Sequence, residues 1–136
     1  MRDLRIGCIV ALVIALCACT SIPRSGCRPG EQLHVMETIY FGTEKPGGAV
    51  TMEEWRNFVD LVVTPRFKQG LTSWDASGQW QGSNGVIERE STHVLQIVHS
   101  GTDQNESAIR EIIAEYKVRF DQEAVLRVRF NACVSF

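Results

Sequence analysis

Cysteine is the residue type whose spacing in this 136-residue sequence points most directly to chemistry. Three of the five cysteines, Cys17, Cys19 and Cys27, lie close together at and just after the end of an apolar run. A zinc site usually needs four ligands at recognisable spacings, and no second Cys/His pair accompanies Cys17 and Cys19. The cluster therefore indicates a processing signal or a membrane anchor, and no metal site is expected.

The apolar run is short and follows positive charge. It spans 13 residues, residues 6–18, and two arginines precede it. As a helix it would be about 20 Å long, whereas a bilayer core is about 30 Å thick. This pattern is typical of a secretory signal peptide. The alternative, a buried helix of the mature domain, is disfavoured because the run has no polar face.

The end of this run resembles the lipobox, the processing signal of bacterial lipoproteins. Leu16, Ala18 and Cys19 match its pattern, and Cys17 departs from it at a permissive position. The resemblance implies a signal peptide over residues 1–18, lipidation of Cys19 and a tether over residues 19–32. Thr20 stands where lipoproteins retained in the inner membrane typically carry Asp. This implies an exported protein anchored at the periplasmic face of the outer membrane.

Cleavage and lipidation would leave two cysteines, Cys27 and Cys133, near the two ends of the mature chain. An exported protein folds in an oxidising compartment, where paired thiols form disulfides. A Cys27–Cys133 bridge would close a loop of about 100 residues, a constraint worth on the order of 4 kcal/mol. Two unconnected buried cysteines are the alternative.

The composition is that of one small globular domain without strong charge. The formal net charge is −2 and 44% of the residues are hydrophobic. Without a basic stripe, nucleic acid is not an expected partner. Neither a nucleophile elbow nor a phosphate-binding glycine loop is present, so the sequence indicates no catalytic residue and no cofactor. His93 and His99 would lie about 20 Å apart on one strand, too far for one metal ion.

The pattern of apolar residues and breakers predicts six main elements. A capping box at Thr51 and Glu54 begins the first helix, and Pro65 ends it. Asn84-Gly85 is a hairpin signal. The predicted strands are residues 33–41, 70–81 with a bulge at Ser77-Gly78, part of 86–99, and 124–130; the predicted helices are residues 51–64 and 103–120.

This order of elements predicts the fold. Strand, helix, strand, strand, helix, strand is the pattern of a ferredoxin-like α+β sandwich, a four-stranded antiparallel sheet with both helices on one face. The domain would occupy residues 33–136. In the last strand Leu126, Val128 and Phe130 alternate with Arg127 and Arg129, so one side is expected to meet solvent.

Several stretches of the folded part resemble a known bacterial family. "ETIYFGTEKPGG", "VTPRFKQGLT" and "ACVSF" are similar to the family catalogued as domain of unknown function 3574, over about Glu37 to Phe136. Members are typically small exported proteins, often with lipoprotein signals. The family has no assigned activity, so the resemblance implies location and fold but no catalytic residues.

The two central strands are predicted to be apolar on both sides. In the first, Val35, Ile39 and Phe41 alternate with Met36 and Tyr40. Two helices can cover only one side of the sheet, so the other side needs a second cover. A homodimer, a ligand cavity or the long hairpin folding back would supply it, and we expect the homodimer.

Polar residues inside this apolar setting are candidate ligand or interface positions. Glu37 and Gln96 stand out, since a carboxylate in a buried strand needs a partner or a role. Arg66, Arg127 or Tyr40 could pair with Glu37, or Glu37 could lie at a strand end in water.

Two tryptophans flank an acidic residue near the predicted bulge. Trp74, Asp75 and Trp80 lie where side chains are often re-aimed toward a site. The alternative is that these tryptophans pack into a small core.

Together these features predict an uncharacterised lipid-anchored envelope protein, a binding or dimerisation module without catalysis. Its expected partners are the membrane, a second copy, and a small ligand or envelope protein. The first alternative is a small-molecule enzyme of the dimeric α+β barrel type, with a pocket near Glu37, Tyr40 and Arg66. The second is a structural component of the envelope.

Overall fold

The chain is described from residue 26 to residue 136 by a computed structural model. The predicted signal peptide and the lipidation residue Cys19 lie outside this range. The elements are β1 (Gln32–Gly42), β2 (Glu44–Lys45), β3 (Gly48–Ala49), α1 (Met52–Phe58), a π-helical turn (Val59–Val63), β4 (Thr72–Gln81), β5 (Ile87–His99), α2 (Asp103–Arg119) and β6 (Leu126–Val134).

The four long strands form one sheet in the order β4–β5–β1–β6. Every neighbouring pair in it is antiparallel. The first and third long strands, β1 and β5, are therefore central, and the edges are β4 and β6. With α1 and α2 packed on one side, this is the predicted ferredoxin-like α+β sandwich, and the fold prediction is confirmed.

The first helical segment begins at its capping box but does not stay α-helical. The Thr51 hydroxyl accepts a hydrogen bond from Glu54 N, and Thr51 N donates to Glu54 Oε2. After Phe58 the helix widens, and Thr64 N donates to Val59 O, five residues earlier, at 2.9 Å. The prediction of one regular α-helix is wrong here. The wider π turn leaves Val62 and Val63 buried before Pro65.

The predicted bulge in β4 is also wrong. The register with β5 runs without interruption from Thr72 opposite Gln96 to Gln81 opposite Ile87. Gly78 has a steric reason for lacking a side chain, since a Cβ there would lie 3.2 Å from Thr92 Oγ1. Glycine at this position permits close cross-strand packing without a break in pairing.

The connections differ slightly from those predicted. The hairpin at Asn84-Gly85 is present, but residues 82–86 all lie between the strand ends, so the loop is longer than two residues. The predicted loop after β1 contains the short β2–β3 hairpin. β6 starts later than predicted and continues to Val134.

The core lies between the sheet and the helical segments. Six of the fourteen core residues are aromatic, and Tyr116 of α2 donates a hydrogen bond to Gly42 O at 2.9 Å. Burial raises the pKa of the Tyr116 hydroxyl. Residues 26–136 contain no helix with the length and apolarity needed to span a bilayer. The core residues are Ile39, Phe41, Val50, Trp55, Phe58, Val62, Val63, Phe67, Leu95, Ile97, Ile109, Ile112, Tyr116 and Phe120.

Candidate functional site

The sheet has one face without helices, which we call the open face. Strand register places alternate residues of all four strands on it. Trp74, Trp80, Leu126, Val128 and Phe130 are each between 41% and 61% exposed there. The large apolar side chains of the open face are Met36, Tyr40, Trp74, Trp80, Val94, Val98, Leu126, Val128 and Phe130.

The polar centre of the open face comes from the two central strands. Thr38 lies opposite Gln96, and Gln96 Nε2 donates to Thr38 Oγ1 at 3.5 Å. Gln96 is only partly buried. The predicted candidate Gln96 is therefore an isolated amide within a largely apolar surface.

The polarity of β6 is the reverse of that of an ordinary amphipathic strand. Its apolar residues Leu126, Val128 and Phe130 are exposed on the open face. Arg127 and Arg129 instead lie on the helix side of the sheet, where they reach Glu37. The apolar side of β6 meets solvent, and the arginine side does so in part, since the Arg129 side chain is 46% exposed.

Glu37 lies on the helix side and is fully buried. Arg127 binds it with two hydrogen bonds, from Nε to Oε2 at 2.8 Å and from Nη2 to Oε1 at 2.6 Å. The same guanidinium donates to both carboxylate oxygens of Glu106 in the first turn of α2, at 2.8 and 2.6 Å. Among the alternatives for Glu37, the structure selects Arg127 and excludes a strand-end residue in water.

The charges of this network balance. Arg129 adds longer contacts of 3.6 Å to Glu37 and 3.5 Å to Glu106, so two cations face two carboxylates inside the network. The exposed Arg110 lies at its margin, 4.0 Å from Glu106. The hydrogen bonds donated by Arg127 lower the pKa of Glu106 to about 2, and donating to Glu106 and Glu37 raises the pKa of Arg127. The network thus links α2 to β1 and β6. Its charges neutralise one another, which does not favour a catalytic role.

His99 borders the network as a neutral group. Its Nδ1 accepts a hydrogen bond from Gly101 N at 3.0 Å, so the ring proton lies on Nε2, which is 3.4 Å from Glu37 Oε1. Burial lowers the pKa of His99. Phe67 packs at a tilt against the same ring.

Asp75 forms a second polar contact, one that the sequence did not predict. Its Oδ1 lies 2.7 Å from Nδ1 of the buried His93. The His93 ring stacks on Trp55 at 4.8 Å, and Trp55 Nε1 donates to Ser73 Oγ. Within the described residues His93 Nε2 is buried without a hydrogen-bond partner. The hairpin register could have revealed the pair, because Asp75 lies opposite His93.

The predicted enzyme pocket is not assembled. Glu37 is on the helix side, whereas Tyr40 is on the open face. Arg66 donates to Val62 O at 2.7 Å and lies 3.5 Å from Glu111. A cavity of about 400 Å³ beside Arg66 is also lined by His99 but not by Glu37 or Tyr40. These three side chains do not converge, because strand alternation and the loop after the π turn separate them.

The two cysteines of the folded part lie within bonding distance. Cys27 Sγ and Cys133 Sγ are 2.09 Å apart, and their Cα atoms are 5.4 Å apart. The bridge lies at the end of the sheet where β1 begins and β6 ends, since Leu33 pairs with Cys133. It joins the start of the described chain to an edge strand.

Solved structures with a similar fold come from distant proteins. A phage SAM lyase in complex with S-methyl-5'-thioadenosine has a TM-score of 0.54 at 13% identity, covering 81% of this chain and 93% of that chain. The periplasmic divalent cation tolerance protein CutA from Archaeoglobus fulgidus has a TM-score of 0.46 at 9% identity, covering 73% and 82%. At these identities the likeness concerns the fold alone.

Sequence comparison gives the family. No curated protein sequence matches this chain. A family model described as "Protein of unknown function (DUF3574)" matches residues 36–136, which include nearly all of the sheet and both helices. The chain therefore belongs to the DUF3574 family.

Proposed function

We propose that this chain is an exported, lipid-anchored envelope protein whose folded domain pairs with a second copy through the open face. On this proposal Cys19 carries the lipid and the domain has no catalytic activity of its own. The lipobox-like residues before Cys19 support the anchor, and the Cys27–Cys133 bridge is in keeping with an oxidising compartment.

The observation that carries the pairing is the exposed apolar surface of the open face. Two exposed tryptophans and the apolar side of β6 lie on one surface. Contiguous apolar surfaces of this kind on soluble domains mark interaction sites. The helix side of the sheet, by contrast, already holds its apolar residues in the core.

The size of the open face suits a second copy. It is four strands wide. At about 4.8 Å per strand and about 3.3 Å per residue, a face about nine residues long covers about 600 Å². Two such faces would bury about 1,200 Å² in total, the lower end of the range for stable protein interfaces.

The test compares the same substitution on and off this surface. Val128→Asp introduces a charge on the open face, and Val118→Asp introduces it on α2, where Val118 is 86% exposed. We expect sedimentation of the full-length protein in detergent to show two copies for wild type and Val118→Asp, and one for Val128→Asp. Thermal melting by circular dichroism checks that each variant folds. A wild-type protein that sediments as one copy would contradict the proposal.

A further inference from the structure

A cleft lies at the end of the open face where β1 ends and the β4–β5 hairpin extends past it. Its volume is about 310 Å³, within the range of small-ligand sites. Three small residues, Gly42, Gly78 and Ala124, form part of its wall. The cleft is lined by Tyr40, Gly42, Gly78, Gln79, Trp80, Glu90, Thr92, Gln122, Ala124 and Leu126.

Aromatic side chains form part of the lining. Trp80 is 48% exposed, and Tyr40 is partly buried on the neighbouring part of the open face. The faces of aromatic rings carry negative electrostatic potential and attract cations, most strongly for tryptophan. Leu126 adds apolar surface beside them.

Two oxygen acceptors converge in the cleft. A Cβ at Gly42 would touch Glu90 Oε1 and lie 3.1 Å from Gln122 Oε1. The Gln122 amide nitrogen donates to the carbonyl oxygens of Glu44 and Phe120, which leaves Gln122 Oε1 as an acceptor. Both groups therefore present oxygen to the same space.

The Glu90 carboxylate is not neutralised by a neighbour. It accepts one hydrogen bond, from Glu44 N at 3.1 Å. The ion pairs found among residues 26–136 do not include Glu90. None of the residues lining the cleft is a lysine or an arginine. The cleft thus combines an uncompensated negative charge with aromatic surface and contains no cationic side chain.

We propose that this cleft binds a small organic cation whose charged end carries N–H donors, a guanidinium or a primary ammonium group. The positive charge of such a ligand can lie against the Trp80 ring, and its N–H groups can donate to the Glu90 and Gln122 oxygens. Anions are disfavoured by the Glu90 charge. The site is built from one chain, and because it shares Tyr40, Trp80 and Leu126 with the open face, a second copy seated over this end of the sheet would compete with the cation.

Fluorine NMR of the full-length protein in detergent, labelled with 5-fluorotryptophan, tests this. The sequence has three tryptophans, Trp55, Trp74 and Trp80, so two signals serve as internal controls. We expect methylguanidinium to shift the Trp80 signal in a saturable way and to leave Trp55 and Trp74 unchanged. Neutral methylurea, of similar shape, should bind about tenfold more weakly, since it lacks the charge.

Matched variants identify the carboxylate responsible. Glu90→Gln keeps the side-chain shape and should weaken methylguanidinium binding about tenfold, because the charge-assisted hydrogen bond is lost. Glu88→Gln is the control, since Glu88 faces Trp80 across the hairpin but does not line the cleft. Equal shifts with methylurea, or equal loss in both variants, would overturn the proposal.

A parallel titration uses Val128→Asp, the variant designed to separate the copies. A saturable Trp80 shift in either wild type or Val128→Asp supports the site. A Trp80 signal that stays fixed in both would refute it. Sedimentation reports the pairing independently, so failure of the cleft and failure of the pairing are distinguishable.

Discussion

At the scale of single residues, the burial of Glu37 depends on Arg127. Removing a carboxylate from water is costly, and a buried charge is tolerated when a hydrogen-bonded partner compensates it. Arg127 supplies two hydrogen bonds to Glu37, whereas Arg129 approaches it only to 3.6 Å and is 46% exposed. The two arginines of one strand therefore differ in what their removal would do.

We predict that Arg127→Met lowers the free energy of unfolding by about 3–5 kcal/mol, because it leaves the buried Glu37 carboxylate without its two short hydrogen bonds. Arg129→Met is the matched control and should cost no more than about 1 kcal/mol, since its contacts are long and partly in water. Urea unfolding of both variants, followed by circular dichroism, measures the difference. Equal losses would show that Arg127 is not the main partner of Glu37.

The sequence identified Glu37 as a residue that needs a partner but could not choose among Arg66, Arg127 and Tyr40. The choice depends on the register between β1 and β6, which lie far apart in the chain. Alternation along β1 does separate Glu37 from Tyr40, since residues three apart in a strand lie on opposite faces. The contact between Arg127 and α2 also had to be known before Arg127 could be assigned to the helix side of the sheet.

At the scale of elements, the first turn of α2 is held to β6 by Glu106 and Arg127. The pKa of Glu106 is lowered from 4.5 to about 2 by hydrogen bonds from Arg127. A carboxyl group with a lowered pKa in the folded state contributes stability above its unfolded pKa. That contribution is lost as the pH falls through the folded pKa.

We predict that the wild type loses stability between about pH 4.5 and about pH 2 in part through Glu106. Glu106→Gln should be less stable than wild type at pH 6, and the gap should narrow as the pH falls through this window. Glu111→Gln, an exposed change on the same helix, is the control. Urea unfolding at a series of pH values measures the gap, and a constant gap would contradict the prediction.

Elements with local signals were predictable, and those set by packing were not. The capping box at Thr51 formed because its two hydrogen bonds lie within one turn. The π turn after Phe58 has no local signal. Gly78 was misread as part of a bulge, because a glycine that packs closely against a cross-strand neighbour looks the same in sequence.

At the scale of the whole molecule, the order of elements was enough to predict the ferredoxin-like sheet. A split βαβ pattern has few compact arrangements, so the two central strands could be named from sequence. The orientation of β6 could not be predicted from the sequence, because arginines and apolar residues alternate in the same way whichever side faces the helices. Glu37, on the neighbouring strand, draws the arginines inward.

The proposed anchor also belongs to this scale. We predict that Cys19→Ser abolishes acylation and releases the protein from the membrane fraction, because the lipid has no other acceptor. Cys17→Ser is the matched control and should remain acylated, since the lipobox tolerates different residues at the position of Cys17. Mass spectrometry of the mature N-terminus, with membrane fractionation, measures both. An unacylated wild-type protein that keeps residues 1–18 would refute the anchor.

The Cys27–Cys133 bridge attaches the start of the described chain to the sheet, so the segment between Cys19 and the folded domain is short. Only six residues separate Cys19 from Gly26. If Cys19 carries the proposed lipid, these residues, at about 3.5 Å each, would let the domain move no more than about 25 Å from it. Molecules held this way search for one another by lateral diffusion in a thin layer, which raises their effective concentration and lets a modest interface suffice. The cleft lies at the far end of β1, about 33 Å from the bridge, so a bound cation and a second copy would compete for the same end of the open face.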